Sequence, residues 1–125
     1  MATKTLSATI DLKTADKVIG IFGLDSIIAQ SLSYDDTVVS SATTTITHAA
    51  PVQLVAKVAG TKVVYVWIKN TDATNFVVLK NDDADVWGKL LPGEWAFFPV
   101  ALASGFEVQA DTGDCICEYA IFQTP

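Results

Sequence analysis

The side chains best suited to chemistry are one histidine, two cysteines and a scatter of carboxylates. His48 stands in Thr47-His-Ala-Ala-Pro51. A nucleophilic triad needs a base beside a nucleophile and a third group to orient the base. No G-x-S-x-G elbow occurs, and Ser104-Gly105 lacks the flanking pattern, so His48 is expected to be a loop residue. Cys115 and Cys117 would face the same side of a strand. That spacing does not readily close a bridge. With no second pair or histidine alongside they make a poor zinc site, and they read as small buried apolar side chains. Asp82, Asp83 and Asp85 cluster beside Asn81, a spacing of hard oxygen ligands that would suit a calcium ion. The EF-hand pattern is missing, so these three remain weak metal candidates on a solvated turn, and Asp111 and Asp114 read the same way. Glu94, Glu107 and Glu118 could be imagined as a glycosidase carboxylate pair, but each lies in a strand-like context where a charge marks the wet face. Trp87 and Trp95 near Asp82, Asp83 and Asp85 could stack sugars. Together with Tyr65, Trp67, Phe97 and Phe98 they suit a core and a subunit interface better. The sequence therefore points away from an enzyme and calls for no cofactor.

The elements that would hold these residues are limited by size. A chain of 125 residues and 13.3 kDa fits one domain, 1–125. Hydrophobic residues are 50% of the chain, and with the 7 Gly the apolar share is about 56%, above the usual ~45–50%. Charged residues are 18%, below the usual ~25%. Either the core is rich or an outer surface is covered by other subunits, and the second is the expectation. A net charge of −6, with every basic residue a scattered Lys, argues against a nucleic-acid partner. The start, Met1-Ala-Thr-Lys-Thr-Leu, lacks the apolar region of a signal peptide. No apolar run is long enough for a helix to cross a membrane. Synthesis in a reducing cytoplasm fits the two free thiols.

Along the chain, strand signals predominate. Thr3 to Leu12 alternates with period two. Val18–Phe22 could be strand or helical turn, and Leu24–Ser31 suggests one turn of helix. Ser31–Ser40, Ser41–Thr47 and Val52–Ala56 read as strands, the last started by Pro51. Phe76–Leu79, Leu90–Val100, Phe106–Ala110 and Cys115–Phe122 follow. Pro92-Gly93 places Pro and Gly as a type II turn requires, and Thr112-Gly113 marks a final hairpin. Val63–Ile68 shows no polar alternation. It is either a central strand covered on both faces, with the first 30 residues supplying the cover, or a strand whose outer face meets a neighbouring subunit. The sum is all-β: an antiparallel β-sandwich, jelly-roll-like, of about eight short strands, with residues 1–30 forming an extended arm or extra strand. Val64, Val66, Trp67, Trp87, Trp95, Phe97 and Phe98 are the expected interface residues.

Three stretches carry a family likeness: Val64-Tyr-Val-Trp-Ile-Lys-Asn-Thr-Asp-Ala-Thr-Asn-Phe-Val-Val78, Leu90-Leu-Pro-Gly-Glu-Trp-Ala-Phe-Phe98 and Val108-Gln-Ala-Asp-Thr-Gly-Asp114. Strand, polar loop, strand, "L-x-PGE" turn, aromatic strand and "TG" turn in this order resemble small all-β bacteriophage virion proteins of the capsid decoration or cement type. The likeness covers roughly the last half of the chain. It implies structural work in a virion and brings no catalytic residues with it. The expected role is bridging neighbouring capsomers as a homo-oligomer, with a trimer expected, against the major capsid protein or another virion protein. Tail, neck or fibre placement and a carbohydrate-binding β-sandwich are the alternatives. No membrane partner is expected.

Overall fold

The alternation and turn chemistry produce a structure made of strands. The computed structural model describes residues 3–11, 27–37 and 39–125. Among these there is no helix, and none long and apolar enough to cross a membrane. The strands are β1 (Thr3–Asp11), β2 (Ile27–Asp35), β3 (Val39–Ile46), β4 (Val52–Val55), β5 (Val63–Asn70), β6 (Val77–Lys80), β7 (Val86–Leu90), β8 (Trp95–Ala101), β9 (Phe106–Ala110) and β10 (Cys115–Gln123). Every pairing is antiparallel.

β3 to β10 form two four-stranded sheets, ordered β3-β10-β5-β8 and β4-β9-β6-β7. Only β6 and β7 follow one another within a sheet; each other step from β3 to β10 crosses to the opposite sheet. This winding is that of a jelly roll. β1 and β2 pair separately as a two-stranded hairpin.

Several local expectations change. Residues Ile27 to Ser31 belong to β2, not to a helical turn. The expected Ser31–Ser40 strand is broken after Asp35, whose carboxylate accepts from the Thr37 N–H at 2.9 Å and the Thr37 hydroxyl at 2.7 Å. Those bonds, the hydroxyl's first, hold the Asp35 pKa below the ordinary carboxylate value. Val86–Leu90 is a strand that the turn-rich sequence around it concealed. Thr112-Gly113 carries the chain between sheets, since β9 and β10 lie in different ones. Val18–Phe22 and Leu24–Ser26 fall outside the described residues.

The core lies between the two sheets. Val64, Val66 and Ile68 of β5 face it with Val77 and Leu79 of β6, Phe106 and Val108 of β9, and Cys115 and Cys117 of β10. Each buried aliphatic side chain contributes roughly 1.5–3 kcal/mol relative to exposure. The two thiols therefore pack as small apolar groups. Burial raises both pKa values, that of Cys117 to about 12, so neither is poised as a thiolate.

One buried polar residue ties the loops at one end. Asn70 is fully buried at the end of β5. Its amide donates to the carbonyls of Asn75 (2.9 Å) and Leu90 (3.2 Å), and its side-chain oxygen accepts from the Asp72 N–H (3.0 Å). Its backbone accepts from Gly93 and donates to Glu94. The polar loop after β5 and the Pro92-Gly93 turn are thus tied together at one residue, through the side chain and backbone of Asn70. Glu94 N–H closes that turn on the Leu91 carbonyl at 3.0 Å, and Gly93 supplies the φ of 81° that its third position requires.

A candidate contact surface

The registers of β3, β10, β5 and β8 place specific residues on the outside of that sheet. One row across it reads Val39, Phe122, Tyr65, Pro99; the next reads Ser41, Ala120, Trp67, Phe97; a third reads Thr43, Glu118, Lys69, Trp95. Alternation points these side chains away from the core. Aromatic and small apolar groups therefore fill the middle of a face that in a simple sandwich would be wet. Tyr65 and Phe97 stack diagonally at 6.2 Å between ring centroids.

The β1–β2 hairpin lies over this face. Leu6 and Ala8 of β1 share a hairpin face with Leu32 and Tyr34 of β2, while Thr5, Ser7, Ser31 and Ser33 are exposed. Tyr34 meets Phe122 edge-on at 5.2 Å. Between hairpin and sheet remains a groove of about 530 Å³, whose apolar lining includes Leu6, Ala8, Trp67, Trp95, Phe97 and Phe122. The cover is incomplete, because Trp95 and Ile116 each stay 51% exposed.

The expected interface residues separate accordingly. Trp67, Trp95 and Phe97 come together on the aromatic face. Val64 and Val66 do not: they are 2% and 0% exposed, sealed between the sheets, and their even positions on β5 turn them inward. Phe98 also points inward, and packs on Phe106 at 5.1 Å. Val64 and Val66 are core residues, and Phe98 is a partly buried residue packed against the core from the inner side of its sheet, so none of the three lies on the aromatic outer face. Trp87 takes a separate position. A bulge between Leu79 and Lys80 leaves it out of register in β7, where it covers Phe98 at 5.0 Å and Phe106 at 5.9 Å while staying half exposed. It plugs the open edge of the sandwich between β7 and β8. Tyr65 joins this face as part of the aromatic group the sequence assigns to core and interface, whereas the sequence pattern gives no place on it to Ala120 and Phe122. The alternation of β10, read against that of β5, is the signal that finds them.

The opposite sheet differs outside. Its outward positions include Gln53, Glu107 and Lys80 in one row and Gln109, Val78 and Lys89 in the next. Lys80 donates to Gln109, and Lys89 sits 4.2 Å over the Phe76 ring.

The other candidates are committed to local bonds. Asp82 accepts from Gln53 at 2.7 Å, Asp83 pairs with Lys57 at 3.1 Å and Asp85 accepts from Asn81 at 3.2 Å. The carboxylates of the acidic turn thus serve different partners, and among the described residues no group of three or more His, Cys, Asp or Glu converges. Gly105 anchors the same end, with φ of 68° and a Cβ position only 2.8 Å from the Asp82 Cβ. His48 lies in the loop between β3 and β4, as expected, and its ring is tied down there. Its Nδ1 lies 2.9 Å from the Asp114 carboxylate, which also accepts the His48 N–H at 3.1 Å. The ring's bond and then the backbone's hold Asp114 below the ordinary carboxylate range. The pair is exposed, and among the described residues no hydroxyl or thiol bonds to the ring. Glu94 accepts the Leu91 N–H within its own turn. Glu94, Glu107 and Glu118 lie on a turn, on β9 and on β10, the last two in opposite sheets.

Compared with known proteins, the chain matches no family model, no curated protein and no solved structure.

Proposed function

We propose that this protein is a virion structural subunit, a decoration or cement protein of a bacteriophage head, that works by protein–protein contact. The observation that carries the reading is the aromatic outer face of the β3-β10-β5-β8 sheet. An apolar face of this kind, only partly covered by the β1–β2 hairpin, favours contact with another protein. Trp95 and Ile116 would be the leading contacts because they project past the hairpin's cover. Two further supports are weaker. The jelly roll is a winding that capsid proteins use, although folds host many functions. The loops and turns tied by Asn70 are also those that resemble small phage virion proteins. On a shell, many weak copies would act together through avidity.

The test is co-sedimentation of the purified protein with heads that lack it, from the phage that encodes it. The wild type should bind, and Trp95→Ala should bind at least about tenfold more weakly, as for a hot-spot aromatic, with melting temperature little changed. Binding to tails alone would move the site to the tail. Binding to neither particle, alongside a glycan-array signal lost in Trp87→Ala or Trp95→Ala, would replace the reading with a carbohydrate-binding module.

A further inference from the structure

We propose that the free edge of β3 pairs antiparallel with β3 of a second copy, joining two sandwiches about a two-fold axis. The two large sheets present four edge strands: β3 and β8 in one, β4 and β7 in the other. Natural proteins blunt such edges with proline, charge, bulges or short length. β8 carries Pro99 opposite Tyr65. β4 is four residues long, follows Pro51 and is bulged between Gln53 and Val55. β7 is bulged at its pairing with β6 and carries Lys89. β3 has none of these guards. Its eight residues, Val-Ser-Ser-Ala-Thr-Thr-Thr-Ile, include no charge and no proline and pair with β10 in unbroken register. Among the described residues its ladder runs to β10 alone, and the β1–β2 hairpin pairs only within itself. A long strand with exposed side chains, whose outer row of backbone groups has no ladder partner among the described residues, is a template for another strand.

The uncharged β3 strand suits a second copy as the occupant. Chains of net charge −6 repel one another, so copies must meet where the surface is neutral. The nearest carboxylate across the ladder is Glu118, opposite Thr43 on β10. In a β3–β3 pair the two Glu118 would stand three strand spacings apart, about 14 Å, beyond the ~8 Å screening length of physiological salt. Face continuity fixes the register. Antiparallel partners point to the same side, so a two-fold must set a residue against its own copy, and pairing over most of the strand's length makes that residue Ala42 or Thr43; a one-residue slip would turn one core face outward. Thr and Ser side chains then meet across the axis, a favourable cross-strand pairing. The joined sheet has eight strands and carries both aromatic faces on one side. This assembly is a dimer in place of the trimer expected from the sequence. The proposal rests on the reading of the chain as an assembly subunit, but it is tested in free solution without particles, so either can fail alone.

The experiment is light scattering on the full chain across concentration, with hydrogen exchange along β3. The wild type should reach twice the 13.3 kDa of one chain. In the dimer, adjacent β3 amides should both exchange slowly; in the monomer, only alternate ones should. Thr43→Lys sets like charges across the axis and should raise the dissociation constant about fivefold or more. A wild-type chain that stays monomeric, forms trimers, or dimerises with alternate β3 amides still exchanging fast would overturn the proposal. If Thr43→Lys does not fold, the exchange pattern of the wild type decides by itself.

Discussion

The two outer faces of the sandwich rest on the same core yet have opposite characters. Outside β5, Tyr65 and Trp67 lie between Phe122 and Ala120 on β10 and Pro99 and Phe97 on β8. Outside β6, Val78 and Lys80 lie between Gln109 and Glu107 on β9 and Lys89 and Val86 on β7. The inward positions of the two central strands are alike, Val64, Val66 and Ile68 against Val77 and Leu79. The core therefore does not account for the difference; what each face meets outside does. A polar face is satisfied by water and needs no cover, whereas an apolar face left in water forfeits the burial energy of its side chains. The hairpin supplies part of that burial, and a neighbouring molecule is proposed to supply the rest.

The largest effect that could break this contrast comes from matched truncations of the two faces. Trp67→Ala should destabilise the chain by about 3 kcal/mol, the lower end for a large aromatic because Trp67 is only half buried. Val78→Ala, on the central strand of the polar face, should cost less than about 1 kcal/mol. Urea unfolding measures both. Equal costs would mean that the hairpin and the aromatic face do not pack together in solution.

A smaller effect sharpens the role of the hairpin. Leu6 lines the groove from the β1 side. Leu6→Asp would place a carboxylate in the groove that Trp67 and Phe97 also line, an unpaired charge in an apolar site. The hairpin should lift and stability should fall by about 1–2 kcal/mol. Binding of a hydrophobic dye should rise as the face is uncovered. A variant with unchanged dye binding would show that the hairpin does not shield this surface.

The sequence made the sandwich legible but not its division into core and surface. Runs of period two, Pro92-Gly93 and the polar loop after Lys69 were sufficient for strands and turns. The apolar run of β5 announced two covered faces without saying which residues belonged to which, because a strand's parity has meaning only against its neighbours. The sequence alone therefore places Val64, Val66 and Phe98 at a subunit interface and assigns no such role to Phe122. β7 was hidden because Gly88 and Lys89 weaken a strand pattern that a bulge and an edge position permit. The structural role of Asn70 was unreadable for another reason. Its three side-chain partners are an N–H and two carbonyls that any residues could supply, so no residue type signals them.

The smallest effect concerns the polar face and depends on pH. Glu107 is raised above its ordinary carboxylate value of 4.5, first by desolvation, then by its hydrogen bond and repulsion with Asp82, with Lys80 acting in the opposite sense. A carboxyl that binds its proton more tightly when folded contributes its stability in full below the unfolded pKa, and loses it as pH rises through the folded one. At neutral pH the ionised Glu107 is therefore a burden that the polar face tolerates because Lys80 offsets part of it. Glu107→Gln should raise the melting temperature at neutral pH by a few degrees at most. The gain should shrink as pH falls through the folded pKa, which lies above 4.5, and be gone below 4.5, where Glu107 is protonated folded and unfolded alike. Melting curves of both proteins across that range provide the check. A difference that stays constant with pH would mean that Glu107 is as freely solvated as a carboxylate at a loop tip, and the polar face would then hold its charges without mutual constraint.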